Sequence, residues 1–253
     1  MTKLALLTKI YNTHQLKQLS QILEDLLGDL TIETAITGTL ADRWVQLELS
    51  GEDESVATKL LEREIGFCPV SLEKVKKFSA VKGYVINLNK SAEVLSLDIG
   101  VFEPRITYSA VSINHLQASL ANGKKISLKK LSEFWGLCEN LPLDIKVLEV
   151  HAEENRIEAE LQTKQIHKFI LWKESLLDRL IVIGASLNEV KITMEQEGLD
   201  RDIIYIESLG TFEHALVCKL GTDAAGLIGR IGRRLRKAKF TVFNPKALAV
   251  LEK

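Results

Sequence analysis

The chain has 253 residues, of which 46% are hydrophobic and 26% are charged, and its formal net charge is −1. This composition excludes a wholly disordered chain, a collagen and a coiled-coil rod, and the length fits two or three domains. The charge is unevenly distributed, because residues 219–246 contain eight basic residues and a single acidic residue. A cationic stretch in a near-neutral protein indicates a surface that binds anions.

The first segment, residues 1–77, is predicted to be a small two-layer α/β domain with the order β-α-β-β-α. Its first helix is amphipathic, because leucines recur three and four residues apart between Leu16 and Leu26. The predicted elements are a strand at 4–10, a helix at 16–26, strands at 31–39 and 44–49, and a helix at 53–65. A ferredoxin-like unit would need a closing strand near 67–72, and none is evident there.

The middle segment, residues 78–162, is predicted to be a five-stranded barrel, because it holds five short β-runs with turns between them and one helical insert. The predicted strands are 81–88, 94–99, 107–113, 144–150 and 156–161, and the insert is 128–137. The β-runs contain Val81-Lys-Gly83-Tyr-Val85, Leu97-Asp98-Ile-Gly100, Ser109-Ala-Val-Ser-Ile113 and Ile145-Lys-Val-Leu-Glu-Val150. With these stretches, the segment resembles an OB barrel of the ribosomal S-one type.

Aromatic side chains of such a barrel can stack on RNA bases. Phe102 precedes Glu103-Pro104-Arg105 and is predicted to lie on an exposed loop, where it would contact a base. Tyr84 and Tyr108 fit the barrel core equally well.

The third segment, residues 163–253, is predicted to have the order β-α-β-β-α-β after an initial helix at 164–176. It contains Leu227-Ile-Gly229-Arg-Ile-Gly232-Arg-Arg-Leu235. This pattern resembles the Gly-x-x-Gly core of a type II KH domain, as found after an S-one-type barrel in NusA. The resemblance implies that backbone NH groups of a loop between the two glycines clamp a phosphodiester.

The same residues also fit one unbroken helix. Apolar residues from Ala224 to Ala238 recur at spacings of four and three and fall on one face, which is typical of a helix lying on a sheet. In that case the domain is ferredoxin-like rather than KH-like. Three glycines in seven residues would then cost about 1 kcal/mol each. The sequence leaves both alternatives open, so the predicted fold class is α+β with three domains, the last either KH-like or ferredoxin-like.

Both alternatives place a row of cations on the helix face that points away from the core. A second basic cluster lies in the insert of the barrel. The candidate RNA-binding residues are Gly229, Arg230, Gly232, Arg233, Arg234, Lys237, Lys239, Phe102, Lys124, Lys125, Lys129 and Lys130.

The three cysteines, Cys68, Cys138 and Cys218, are far apart and contain no Cys-x-x-Cys pair. We therefore expect free thiols in a reducing cytoplasm rather than a disulfide framework or a zinc ribbon. No apolar run approaches the ~20 residues that span a bilayer, and residues 1–10 have too short an apolar core for a signal peptide. We therefore expect no membrane among the binding partners of this protein.

No pattern typical of catalysis is found, since the sequence lacks a phosphate-binding glycine loop, a His-Glu-x-x-His pair and a nucleophile elbow. We expect no enzymatic activity, no cofactor and no metal site. The predicted function is binding of single-stranded RNA in transcription or translation, with ribosome or RNA polymerase components as partners.

Two alternatives remain. One is a protein adaptor that docks onto a ribonucleoprotein or a polymerase, and the other is an enzyme or ligand-binding regulator with a site assembled in three dimensions. A large pocket with convergent polar groups would favour the regulator, whereas an open positive groove would favour RNA binding. As a whole, the chain resembles an archaeal family of unknown function (number two thousand one hundred and ten).

Overall fold

The structure, a computed structural model, describes residues 2–88 and 90–249. These residues form an α+β protein with three β-sheet units, as the sequence predicts. No helix in the described ranges is both long enough and apolar enough to cross a membrane. All three cysteines are free, as expected.

The N-terminal unit is an antiparallel three-stranded sheet with two helices on one face. Its elements are β1 (Thr2–Lys9), α1 (His14–Leu27), β2 (Ile32–Leu40), β3 (Trp44–Gly51) and α2 (Glu54–Glu64), and the strand order is β1-β3-β2. Leucines of α1 pack on leucines of β3 because both sets face the layer between helix and sheet.

The missing fourth strand of this sheet is replaced by a short extended segment. The amide of Leu7 donates to the carbonyl of Gly66 (2.9 Å), and the amide of Cys68 donates to the carbonyl of Ala5 (2.8 Å). These bonds lie on the free side of β1, where a ferredoxin-like fold places its last strand. The segment is too short to show a period of two residues, which explains why the sequence does not reveal it.

The middle unit is a closed five-stranded OB-like barrel. Its elements are β4 (Val70–Ser71), β5 (Ala80–Ile86), β6 (Val94–Glu103), β7 (Thr107–Ser112), α3 (Ile113–Leu120), α4 (Leu128–Trp135), β8 (Pro142–His151) and β9 (Arg156–Leu161). Around the barrel the strands follow the order β5-β6-β7-β9-β8, and the pair β7–β9 is parallel. The short strand β4 is not one of these five and pairs in parallel with β6. The predicted barrel is therefore confirmed.

Gly100 marks the place where the N-terminal unit meets this barrel. Its φ is +78°, and a Cβ atom there would lie 2.5 Å from the sulfur of Cys68. Only glycine allows both the left-handed backbone and this close approach.

The C-terminal unit is a four-stranded antiparallel sheet with the order β11-β12-β10-β13. Its elements are α5 (Thr163–Glu174), β10 (Arg179–Ile183), α6 (Leu187–Glu197), β11 (Ile203–Ser208), β12 (Glu213–Cys218), α7 (Ala224–Arg234), β13 (Lys239–Phe243) and α8 (Pro245–Leu248). Helices α6 and α7 cover one face. The element order, together with this strand order, is ferredoxin-like.

Helix α7 runs without interruption through Gly229 and Gly232. The predicted phosphate-clamping loop is therefore wrong, because the interior amides of a helix are already hydrogen-bonded to carbonyls one turn earlier. Two features stabilise the helix despite its glycines. Ala224, Leu227 and Ile231 are buried against the sheet, and the Asp223 carboxylate accepts hydrogen bonds from the first turn.

The second face of the C-terminal sheet packs on α5 and on the barrel insert through an aromatic cluster. Trp135, Phe169, Trp172 and Phe243 form this cluster, with ring centroids 5.3–6.0 Å apart. The two central strands, β10 and β12, are thus buried along their whole length.

Candidate functional site

Two of the predicted RNA-binding residues, Arg230 and Arg234, form ion pairs within the C-terminal unit. Arg234 forms an ion pair with Glu197 at the end of α6, with 2.5 Å between Nε and Oε1, and also binds the Gln196 side chain. Arg230 pairs with Asp202 (3.4 Å) and donates to the backbone carbonyl of Glu197. The hydrogen bond from Arg234 is the main reason that the pKa of Glu197 is lowered. Glu197 and Asp202 precede the motif in sequence by about thirty residues, so a local count of charges does not reveal the pairing.

The remaining cations at this end of the domain are exposed and, in the part of the chain that the structure describes, form no ion pair. We call Arg233, Arg236, Lys237 and Lys239 the corner cations, because they lie where α7 ends and β13 begins. Arg233 donates to the carbonyl of Gly229 (3.0 Å), and Arg236 donates to the carbonyl of Arg233 (3.2 Å). These bonds stabilise the end of α7 and leave the charges in solvent.

The second basic cluster, which we call the insert lysines, also lies in solvent. It comprises Lys124, Lys125, Lys129 and Lys130 at the turn before α4 and in its first turn. No ion pair involves them within residues 2–88 and 90–249. Cations at the start of a helix oppose the helix dipole, so helix stability does not account for Lys129 and Lys130.

Helix α4 connects the two clusters, since it packs against both β13 and α8. This contact joins the insert that carries the lysines to the edge strand of the C-terminal sheet, which begins at Lys239.

The prediction that Phe102 lies on an exposed loop is wrong. It lies in strand β6, is partly buried, and packs against Trp44 with 6.5 Å between ring centroids. Tyr84 is fully buried in the same cluster. Charged residues follow Phe102 in sequence, which suggested a loop, but the adjacent N-terminal unit covers this part of the strand.

An aromatic side chain that the sequence analysis missed is exposed on the barrel instead. Phe78 is 62% exposed, and the ammonium groups of Lys77 and Lys146 lie 5.3 and 5.4 Å from its ring centroid. An exposed ring flanked by cations suits stacking on a nucleic-acid base. The alternation of lysines and an aromatic residue in Lys74-Val-Lys-Lys-Phe78 is a signal that could have identified it.

A cleft of about 870 Å³ lies at the junction of the three units. Helix α1 and the end of α2 form one wall, Lys82 and Tyr84 of β5 form the floor, and the start of α6 with the turn between β11 and β12 forms the other wall. This volume falls in the range of small-molecule sites. The sequence analysis predicts no such cleft.

A buried polar network holds the walls of the cleft together. The hydroxyl of Tyr11 donates to Glu213 (2.6 Å), which joins the N-terminal and C-terminal units. The Lys9 ammonium lies 2.7 Å from Asp98 of the barrel, and the Trp44 indole donates to the same carboxylate (3.0 Å). Because charged hydrogen bonds require defined geometry, this network fixes how the three units are oriented.

Burial shifts the acid–base properties of this junction. It raises the pKa of Glu213 to about 7, while the hydrogen bonds from Tyr11 and from the Phe212 amide act in the opposite direction. Burial also raises the pKa of Tyr11 and of Tyr84 well above the ordinary value. Glu213 is thus close to the midpoint of its titration at neutral pH.

Three potential metal ligands come together on the outside of the barrel. One ligand atom each of Glu149, His151 and Glu158 lies within 4.8 Å of the other two. The sequence analysis predicts no metal site, and strand pairing between β8 and β9 is what brings these residues together. Arg156 and Lys77 already form ion pairs with the two carboxylates, which reduces their availability to a cation.

Comparison with known families matches both ends of the chain. Residues 3–69 match the DUF2110 N-terminal domain, and residues 177–243 match the DUF2110 C-terminal domain, which together cover more than half of the chain. The chain belongs to the DUF2110 family. In this DUF2110 protein, the two matched regions correspond to the two ferredoxin-like units, and the barrel lies between them.

No curated protein matches the chain. Among solved structures, it is similar to uncharacterized protein MJ1198 from Methanocaldococcus jannaschii (13% identity, 35% of this chain and 95% of that one, TM-score 0.23). It is also similar to the a/eIF2alpha–aDim2p–rRNA complex from Pyrococcus horikoshii (15%, 49% and 64%, 0.27). A third is the intact alpha subunit of aIF2 from Pyrococcus abyssi (11%, 67% and 97%, 0.27).

Proposed function

We propose that this DUF2110 protein is a non-catalytic, cytoplasmic protein that binds single-stranded RNA in transcription or translation, alongside components of the ribosome or of RNA polymerase. The observation that carries the proposal is the exposure of the corner cations and the insert lysines. Within the described residues these eight side chains form no ion pair, whereas Arg230 and Arg234 of the same helix are paired.

The chemistry of this surface suits phosphate groups rather than base edges. Guanidinium and ammonium groups on solvent-exposed positions bind the RNA backbone and release counterions, so binding strength falls as salt rises. The contacts come from side chains alone, since the amides of α7 are used within the helix. Phe78 adds a ring on which a base can stack, elsewhere on the barrel.

The test replaces Arg233, Arg236, Lys237 and Lys239 together by glutamine. Affinity for any single-stranded RNA should fall, and the slope of log affinity against log salt should flatten by about 0.7 for each lost phosphate contact, nearly 3 in total. Fluorescence anisotropy with labelled oligonucleotides at several salt concentrations measures both quantities.

A matched control removes four exposed cations elsewhere, by replacing Lys17, Lys59, Lys90 and Lys164 with glutamine. It changes the net charge by the same amount and should leave the slope close to that of the wild type. If the wild-type protein shows no salt-dependent RNA binding, or if both variants weaken it equally, the corner cations are merely a solvated surface.

A second function, ligand binding, is favoured by one specific observation. The cleft between the three units gathers polar side chains that are distant in sequence, as a regulator with a three-dimensional site requires.

A further inference from the structure

One wall of the cleft contains a buried histidine whose hydrogen-bonding groups are unused. His214, the second residue of β12, is 1% exposed, and neither ring nitrogen forms a hydrogen bond of normal geometry within the described residues, although the Ala185 backbone lies close to the ring. Burial lowers the pKa of His214 to about 4, and a weak hydrogen bond with the Ala185 backbone offsets this only in part. The ring is therefore neutral at pH 7, so it offers one donor and one acceptor.

The opposite wall has a matching feature. The side-chain oxygen of Gln18, on helix α1, is buried and likewise accepts no hydrogen bond from residues 2–88 or 90–249. A buried polar atom without a partner is unfavourable, because it has given up its hydrogen bonds to water. Both residues line one cleft and come from two different units, so a molecule bound there can supply the missing bonds.

The rest of the lining sets the chemistry of that molecule. Leu7, Ile22 and Leu187 provide apolar surface between the two walls. Lys82 lies on the barrel side, where its ammonium donates to the Leu209 carbonyl (3.3 Å) and keeps further donors, and Lys191 lies on α6. Asp25 and Glu64 lie on the side formed by α1 and α2. The first turn of α6 is already capped by Ser186 and Glu189, so an anion would be bound by the lysines rather than by free amides.

We propose that the cleft binds a nucleotide, with His214 and Gln18 on the edge of the base and Lys82 and Lys191 at the phosphate. A flat, uncharged heterocycle with alternating donors and acceptors matches a neutral imidazole and a carboxamide, and its faces match the aliphatic side chains. A carboxylate such as Asp25 suits the ribose hydroxyls. The site does not depend on the corner cations, so it stands apart from the proposed RNA-binding surface.

Such a nucleotide has two sources, a free mononucleotide or one nucleotide of an RNA strand. The experiment titrates the full-length protein calorimetrically with AMP, GMP, CMP and UMP, and with the matching nucleosides and inorganic phosphate as separate probes. At least one monophosphate should bind, its nucleoside should bind about tenfold more weakly, and inorganic phosphate should bind more weakly still.

Three variants test the assignment. His214→Asn and Gln18→Leu should each weaken binding of the monophosphate about tenfold or more, the loss expected when a hydrogen bond in a buried site is removed. Lys191→Gln should reduce the difference in affinity between the monophosphate and its nucleoside. Since Gln18 and Lys191 lie on helix surfaces, these two variants carry the test if the buried His214→Asn change prevents folding.

Competition with a labelled single-stranded RNA distinguishes the two sources of the nucleotide. Displacement of the RNA by the monophosphate identifies the site as a pocket for a nucleotide of the strand, and binding without displacement identifies a free nucleotide. Glutamine replacement of the four corner cations should leave the calorimetric result unchanged, which distinguishes failure of one proposal from failure of the other. The proposal is overturned if none of the four monophosphates binds the wild-type protein at millimolar concentration, or if binding is unchanged in all three variants.

Discussion

The two ferredoxin-like units are attached to the same barrel by different means. At the N-terminal unit, Trp44 packs on aromatic rings of the barrel, and a buried ion pair joins Lys9 to Asp98, whose carboxylate also accepts a hydrogen bond from Trp44. At the C-terminal unit, Trp135 of the barrel insert packs on Phe169 and Phe243. The first interface therefore adds a charged, directional contact to its apolar packing, and the second depends on apolar area.

The two interfaces therefore have different roles, since one fixes the orientation of the units and the other mainly adds stability. Apolar packing stabilises an interface without fixing a single orientation, whereas charged hydrogen bonds lose most of their value when they are displaced. The charged interface lies beside the cleft, where the orientation of the walls matters. The aromatic interface lies on the far side of the sheet, where stability suffices.

The largest effect is expected where the charged interface is broken. Asp98→Ala leaves the Lys9 ammonium buried, with 4% of its side chain exposed and no carboxylate beside it. We expect a loss of about 3–5 kcal/mol in the free energy of unfolding, measured by urea denaturation.

Two further variants sharpen this result. Adding Lys9→Met to Asp98→Ala removes the unpaired charge and should restore most of the lost stability. Phe243→Leu, on the aromatic interface, should cost less than about 1.5 kcal/mol because an apolar contact tolerates a change of shape. Equal losses from Asp98→Ala and from the double variant would show that the charges are unimportant.

A pH dependence of intermediate size is expected from two neighbouring residues with opposite shifts. The pKa of Glu213 is raised from 4.5 to about 7, so its contribution to stability is complete below pH 4.5 and is lost as the pH rises to 7. The pKa of His214 is lowered from 6.5 to about 4, so its contribution is complete above pH 6.5 and is lost as the pH falls to 4. Between pH 4.5 and 6.5 the two dependences oppose each other.

The variant Glu213→Gln keeps an acceptor for Tyr11 and removes only one of the two titrations. In this variant the remaining His214 dependence should raise the stability by about 3 kcal/mol between pH 4 and 6.5, whereas in the wild type the titration of Glu213 offsets most of that rise. The charged or titratable groups facing Glu213 are Tyr11, Tyr84, Lys82 and Lys9, and they are unchanged in the variant. Parallel stability curves for the two proteins across this range would contradict the assignment.

The smallest effect concerns the second helix of each ferredoxin-like unit, since α2 contains no glycine and α7 contains three. A Cβ atom at Gly229 would meet nothing within 4 Å. Gly229→Ala should therefore stabilise the protein by about 0.5–1 kcal/mol and leave RNA affinity unchanged. Calorimetric melting temperatures check the first part. A loss of RNA binding with stability retained would restore the phosphate-clamping loop as an explanation.

The features that could be predicted from sequence are those with short-range signals. The barrel follows from five β-runs with turns, and α1 follows from leucines on one face. The Gly-x-x-Gly pattern predicted a loop that does not form, because a motif specifies residue types and not backbone conformation. The apolar face through Ile228 and Ile231 packs on the sheet and thereby stabilises a helix instead. Pairing of Arg230 with Asp202, and the meeting of Gln18 with His214 at one cleft, depend on tertiary contacts that one sequence does not encode locally.

The turn between β11 and β12 places Phe212 in the core of the N-terminal unit, beside leucines of α1 and β3. The neighbouring hydrogen bond, between Thr8 and Thr211, joins residues 203 positions apart. During synthesis the N-terminal unit emerges first, yet one of its core side chains is made only after the whole barrel and much of the C-terminal unit. We therefore expect the nascent N-terminal unit to expose the apolar surface that Phe212 later covers, and a chaperone can bind that surface until translation reaches the ring.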